Sequence, residues 1–185
     1  MKKIIHFFVI INTVLFHSQT VKININAITD NKISITICSN KELVLNEKLL
    51  YANDWIYQVS TLGISKNQLT LFVYNEKNKL IDSGVASRTL GKTDISPEEY
   101  EKLRKIDEKK KQNSRIFIPL NNHKEIHLDF RIFNSVEDVF KIYPCTMFGC
   151  WYDFYTLEKG KKYKLQIQLK VNSKIYKSNV VEFTY

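Results

Sequence analysis

Two histidines and one aspartate lie close together in the sequence and are the side chains best suited to chemistry. His123, His127 and Asp129 belong to the segment NHKEIHLDFRIF, and in a strand His127 and Asp129 would share one face. Three such ligands could hold a catalytic zinc ion, and a His–Asp pair could activate a nucleophile. His123 would have to fold back from a turn, however, and the sequence indicates no nucleophile. We therefore interpret the row as a solvated strand face and predict no catalytic residue, no metal and no cofactor.

The sequence contains three cysteines, which permit one disulfide and leave one thiol over. Four residues separate Cys145 from Cys150, and Phe148 and Gly149 supply a turn between them. We predict that these two cysteines form a disulfide. By restricting the unfolded chain, it would stabilise the folded state by about 2 kcal/mol. Cys38 would then be a small buried residue. Pairing of Cys38 with either of the other cysteines is the alternative.

Aromatic residues are concentrated next to this predicted disulfide, with seven among the sixteen residues from 140 to 155. Only alternate side chains of a strand can face one core, so some of these rings must lie on the second face. They either pack beneath another element or face a partner. As binding residues we predict Met147 and Phe148 at the loop tip, where a disulfide would lower the entropy cost of binding, together with Trp151 and Tyr152.

The first residues have the layout of a secretory signal peptide. Lys2 and Lys3 precede an apolar run that ends at Phe16, and polar residues follow. The run is too short to span a bilayer, which takes roughly 20 residues. We expect a signal peptide at residues 1–18 with cleavage after Ser18, or alternatively after Thr20. The protein would then be secreted, periplasmic or associated with the cell envelope.

The remaining residues, 19–185, have the length of one domain. The formal net charge falls from +9 to +7 on cleavage, because the signal contains Lys2 and Lys3 and no acidic residue. Solubility explains a charge of this size as well as an anionic partner does. Because the lysines are scattered, the sequence gives no specific signal for nucleic acid.

Strands with alternating apolar residues make up most of the predicted domain. The segments VKININA and KISITIC predict a hairpin, and EIHLDFRIF and YKLQIQLKV predict further half-buried strands. Between about residues 85 and 114 charges replace apolar residues, and Ser96 followed by Pro97 predicts the start of a helix that ends near Lys111. Residues 139–143 are predicted to form a strand.

Leu157 and Tyr163 flank the turn EKGKK and precede a strictly alternating strand. This spacing resembles the corner of immunoglobulin-like and fibronectin type III sandwiches, where the tyrosine hydroxyl binds the backbone across the turn between two sheets. The resemblance covers only the last 34 residues or so. It implies an all-β fold, an immunoglobulin-like antiparallel β-sandwich with the helical segment as an insertion. Two small sandwiches that divide near residue 115 are the alternative.

The absence of a phosphate-binding glycine loop and of paired-cysteine metal spacing favours a protein that binds without catalysing a reaction. The expected partner is an extracellular protein or a glycan. One alternative is a small secreted hydrolase or metal-dependent enzyme that uses His123, His127 and Asp129. Another is an accessory subunit of a surface complex. The sequence does not indicate an oligomeric state.

Overall fold

A computed structural model describes residues 20–29, 31–46, 49–53, 67–88, 96–113, 115–119, 121–143, 145 and 149–185. The predicted signal peptide, residues 1–18, lies outside the described residues. The described part of the chain is mostly β, as predicted, with twelve strands and two helices. The strands are β1 (Val21–Thr29), β2 (Lys32–Ser39), β3 (Leu43–Asn46), β4 (Leu50–Tyr51), β5 (Gln68–Asn75), β6 (Gly84–Arg88), β7 (Arg115–Ile118), β8 (Asn122–Asp129), β9 (Cys150–Phe154), β10 (Lys162–Val171), β11 (Lys174–Lys177) and β12 (Val181–Thr184), and the helices are α1 (Pro97–Asn113) and α2 (Val136–Ile142).

One sheet has the strand order β1-β2-β8, with all neighbours antiparallel. The predicted hairpin of β1 and β2 is confirmed, and Asn31 takes up the positive φ that its turn needs. Every second residue of β2 is buried, so Ile33, Ile35 and Ile37 are inaccessible to solvent. The residues between them, Ser34 and Thr36, have their side chains on the opposite, outer face of this sheet.

A second sheet has the order β11-β10-β5-β4, and β12 pairs with β10 beside β11. Its central pair, β5 and β10, is antiparallel, with Leu71 opposite Ile167. The pair β4 and β5 is parallel, which departs from the predicted purely antiparallel arrangement. Two further strand pairs, β3 with β7 and β6 with β9, complete the described β-structure.

The apolar residues of the two larger sheets form one continuous core. Apolar burial of this kind is the main favourable term in folding. Tyr51 and Tyr155 are fully buried in this core, with ring centroids 5.3 Å apart. Asn179 joins the edge of β1 to the loop between β11 and β12: its side chain accepts a hydrogen bond from the Ile25 N–H at 2.7 Å and donates one to the Ile25 carbonyl at 3.2 Å.

The turn between Leu157 and Tyr163 has the tyrosine hydrogen bond that is expected at a sandwich corner. Leu157 and Tyr163 are buried, and the Tyr163 hydroxyl accepts a hydrogen bond from the Glu158 N–H at 2.8 Å. Gly160 turns the chain with a φ of 77°, which glycine adopts without steric cost.

The predicted strand at residues 139–143 is wrong, because residues 136–142 form helix α2. Ser135 caps the helix by accepting a hydrogen bond from the Asp138 N–H at 3.2 Å. Val139 is buried on the inner face of α2, against Ala86 and Phe154 of the β6–β9 pair. This packing explains the helix, since apolar residues three and four apart share a helix face.

Helix α1 is present where the sequence predicts it, with the Ser96 hydroxyl accepting a hydrogen bond from the Glu99 N–H at 3.2 Å. Two apolar residues of this helix, Tyr100 and Ile106, are exposed to solvent. The predicted insertion at residues 85–114 is not helical throughout, because residues 85–88 belong to β6, which pairs with β9. Neither described helix has the length and apolar character needed to cross a membrane.

Candidate functional site

The predicted disulfide between Cys145 and Cys150 is confirmed, with Cα atoms 4.9 Å apart. Cys38 is free. It is half-buried and lies on the outer face of β2, opposite His123 of β8, so the expectation of a core position is wrong. The predicted loop-tip residues Met147 and Phe148 lie outside the described residues.

The other two predicted binding residues lie on β9, immediately after the disulfide. Trp151 is 60% exposed, and Tyr152 is half-buried. The indole Nε1 of Trp151 donates a hydrogen bond to Oδ1 of the buried Asp153 at 3.3 Å. This contact orients the ring while most of its surface stays accessible to a ligand.

The polar row of β8 lies on the outer face of the first sheet, as predicted. His123, Glu125 and His127 are exposed there. Asp129 accepts a hydrogen bond from Lys32 of β2 at 2.5 Å, and the bond raises the pKa of the lysine. The carboxylate of Asp129 is therefore already paired with a cation. Among the described residues, no group of three or more His, Cys, Asp and Glu side chains is arranged to hold a metal ion.

The fold brings the aromatic residues and part of the polar row together in one open groove. His127 and Asp129 line it from β8, and Trp151 and Tyr152 line it from β9. Its volume of about 710 Å³ falls within the range of typical ligand sites. His123 does not line this groove. It borders a smaller depression of about 310 Å³ that also contains Cys38.

Arg131, which follows β8, is the groove residue whose role the sequence did not reveal. Its side chain is only 20% exposed. The guanidinium carbon lies 5.1 Å from the ring centroid of Tyr143, 5.7 Å from that of Tyr51 and 5.8 Å from that of Tyr152. Three tyrosine rings at cation–π distance hold the guanidinium in a fixed position.

Tyr51 also fixes the backbone on both sides of Phe130. Its hydroxyl donates a hydrogen bond to the Asp129 carbonyl at 2.7 Å and accepts one from the Arg131 N–H at 2.8 Å. Burial raises the pKa of Tyr51 well above its ordinary value, so the hydroxyl stays protonated at neutral pH. A core residue thereby positions two residues of the groove.

The groove thus combines an exposed indole, a caged guanidinium, lysines and carboxylates. The indole can stack on a ring of a ligand, the cationic groups can donate hydrogen bonds and the carboxylates can accept them. Binding sites for ligands commonly combine such groups. Comparison with protein-family models, with curated proteins and with solved structures found no match for this chain.

Proposed function

We propose that this protein is a secreted or cell-envelope binding domain that recognises its ligand at the groove between β8 and β9 and performs no chemistry on it. The observation that carries the proposal is the position of Trp151. A large aromatic residue that is 60% exposed, beside a concave surface lined by charged residues, is typical of a binding anchor.

An immunoglobulin-like sandwich is the fold that we propose for this domain. Two larger sheets that share one core support it, as does the hydrogen bond between the Tyr163 hydroxyl and the Glu158 backbone. The parallel pair of β4 and β5 is a departure from that fold. The secretory location is supported by the amino-terminal pattern and by the disulfide, which persists in oxidising compartments.

The test is a binding screen of the purified protein on arrays of immobilised glycans and of extracellular peptides. We expect Trp151→Ala to weaken binding of a recovered ligand about tenfold or more, as expected for loss of an aromatic anchor. Ile175→Ala on β11 is the matched control, because Ile175 is also an exposed apolar residue but lies on the second sheet, β11-β10-β5-β4, and does not line the groove. Its binding should equal that of the wild type.

Two results would contradict the proposal. Unchanged binding by folded Trp151→Ala and Tyr152→Ala variants would exclude the groove as the binding site. Chemical conversion of the recovered ligand during incubation with the wild-type protein would show that the protein is a catalyst.

A further inference from the structure

The donor groups of Arg131 are largely unused by the protein. A guanidinium carries five N–H donors. Within the part of the chain that the structure describes, Nη1 donates one long hydrogen bond to the Asp153 carbonyl at 3.4 Å. The Nε also has no hydrogen-bond partner, but it is buried, so the donors that remain for a ligand in the groove are those of Nη1 and Nη2. Nη2 lies 3.9 Å from Oδ2 of Asp129, which is too far for a hydrogen bond.

These unused donors are also fixed in place. The three tyrosine rings around Arg131 restrict its guanidinium, and the Tyr51 hydroxyl fixes its backbone N–H. A ligand that binds here does not have to immobilise a flexible side chain, so the entropy cost of recognition is reduced. A planar guanidinium held in this way matches the two oxygens of a carboxylate.

The other groove residues limit the ligand further. The groove contains three cationic side chains, Lys32, Lys124 and Arg131, and two carboxylates, Glu125 and Asp129. A polyphosphate carries several negative charges and favours a uniformly cationic surface. The two carboxylates repel it more strongly than they repel a ligand with a single carboxylate. Carboxylates are suitable acceptors for hydroxyl groups, and the exposed Trp151 ring offers an apolar face for a sugar ring.

We propose that the groove binds an acidic glycan, with Arg131 contacting the carboxylate of a uronic acid and Trp151 stacking on a sugar ring. This inference rests on the proposed function and specifies its ligand class. The mixed donors and acceptors fit the hydroxyl groups of a saccharide, and the single net positive charge of the groove fits its carboxylate.

The probes are trisaccharides with one galacturonate, glucuronate or mannuronate residue and two neutral sugars, together with the same trimers after reduction of that carboxylate to a hydroxymethyl group. Binding is measured by calorimetry. We expect at least one acidic trimer to bind the wild-type protein about tenfold or more tightly than its reduced form, because a charge-assisted bidentate contact is lost on reduction. Arg131→Gln should remove most of this difference, whereas Trp151→Ala should weaken both trimers by a similar factor.

Arg131→Lys keeps the positive charge but lacks the planar guanidinium. It replaces Arg131→Gln as the test variant if the glutamine variant does not fold. It should bind the acidic trimer more weakly than the wild type and keep part of the preference over the reduced trimer. Arg131→Lys binding that equals the wild type would overturn the role of Arg131.

The remaining outcomes separate the two proposals. Equal binding of acidic and reduced trimers overturns the acidic-glycan inference and leaves the binding function standing. If only a peptide from the array, or a polyphosphate used as a competitor, binds in a Trp151-dependent way, the acidic-glycan inference is likewise overturned and the binding function stands. Absence of any Trp151-dependent ligand overturns both.

Discussion

Replacement of Tyr51 by phenylalanine tests how the core positions the groove. The change removes one hydroxyl oxygen and keeps the buried ring, so packing against Tyr155 is preserved. The lost hydroxyl leaves two backbone groups without their present partner, the Asp129 carbonyl and the Arg131 N–H. These two hydrogen bonds are short, at 2.7 and 2.8 Å, and partly buried.

The expected loss of stability follows from these two groups. A buried polar group without a partner costs about 1–3 kcal/mol. Because the two groups are only partly buried, the lower end of that range applies to each. We expect Tyr51→Phe to lower the free energy of unfolding by about 2–3 kcal/mol, a large part of the about 5–15 kcal/mol that stabilises a typical domain.

Tyr155→Phe is the matched control, because it removes the hydroxyl of another fully buried tyrosine. That hydroxyl carries one proton, shared between the Leu71 carbonyl at 3.2 Å and the Ala52 carbonyl at 3.3 Å. The Leu71 carbonyl keeps a hydrogen bond from the Ala52 N–H at 2.8 Å. We therefore expect Tyr155→Phe to cost only about 1 kcal/mol.

The measurement is equilibrium unfolding in urea, followed by circular dichroism, for the wild type and both variants. Equal dependence of the unfolding free energy on urea concentration would show that all three proteins lose the same buried surface. The reasoning is refuted if Tyr51→Phe is no less stable than Tyr155→Phe under these conditions.

Two further predictions concern alkaline pH and the disulfide. Burial raises the pKa of both Tyr51 and Tyr155, so above about pH 10 the unfolded chain releases protons that the folded chain keeps. Stability should fall as pH rises from 10 to 12, by up to about 1.4 kcal/mol per pH unit for each tyrosine whose hydroxyl stays protonated in the folded state. Urea unfolding of either Tyr→Phe variant should show a shallower decline with pH, and unchanged slopes would contradict this. Simultaneous replacement of Cys145 and Cys150 by serine should lower the free energy of unfolding by about 2 kcal/mol, whereas Cys38→Ser should change it by about 0.5 kcal/mol or less. Peptide mapping without reductant checks the pairing, and a cross-linked peptide containing Cys38 would contradict it.

The strands that could be predicted from the sequence are those with a local pattern. In β1 and β2 the apolar residues alternate over seven or more positions, and two turn residues separate the strands, so both periodicity and connection are visible in one short segment. Helix α1 is likewise predicted by Ser96 and Pro97 at its start.

Helix α2 was missed because it has only seven residues, fewer than the 11–18 over which helical periodicity can be distinguished. Its β-branched and aromatic residues favour strands when taken singly. The usable signal was Ser135 followed by acidic Asp138 three residues later, which is typical of a helix start. This capping pattern, and not the preference of the individual residues, distinguishes the helix from a strand in the sequence.

The role of Arg131 is not visible in any local pattern. By alternation along EIHLDFRIF it is one more polar residue on an outward-facing row, although its side chain is mostly buried. The rings that surround it come from three separate segments, and Tyr51 is 80 residues away in the sequence. The pairing of β4 with β5 positions Tyr51, and the packing of α2 on the β6–β9 pair brings Tyr143 close to Tyr152.

This arrangement means that stability and the proposed recognition can be tested separately, at Tyr51 and at Arg131. The Tyr51 hydroxyl fixes the backbone of Asp129 and Arg131, while its ring lies beside the Arg131 guanidinium. Phenylalanine keeps the ring and loses the hydroxyl, so its main effect falls on the backbone and on stability. A change at Arg131 itself leaves the backbone hydrogen bond to Tyr51 in place and removes the unused donors. Under the proposed binding function, a change at Arg131 should therefore alter ligand choice, and a change at Tyr51 should alter the rigidity with which the Arg131 donors are presented.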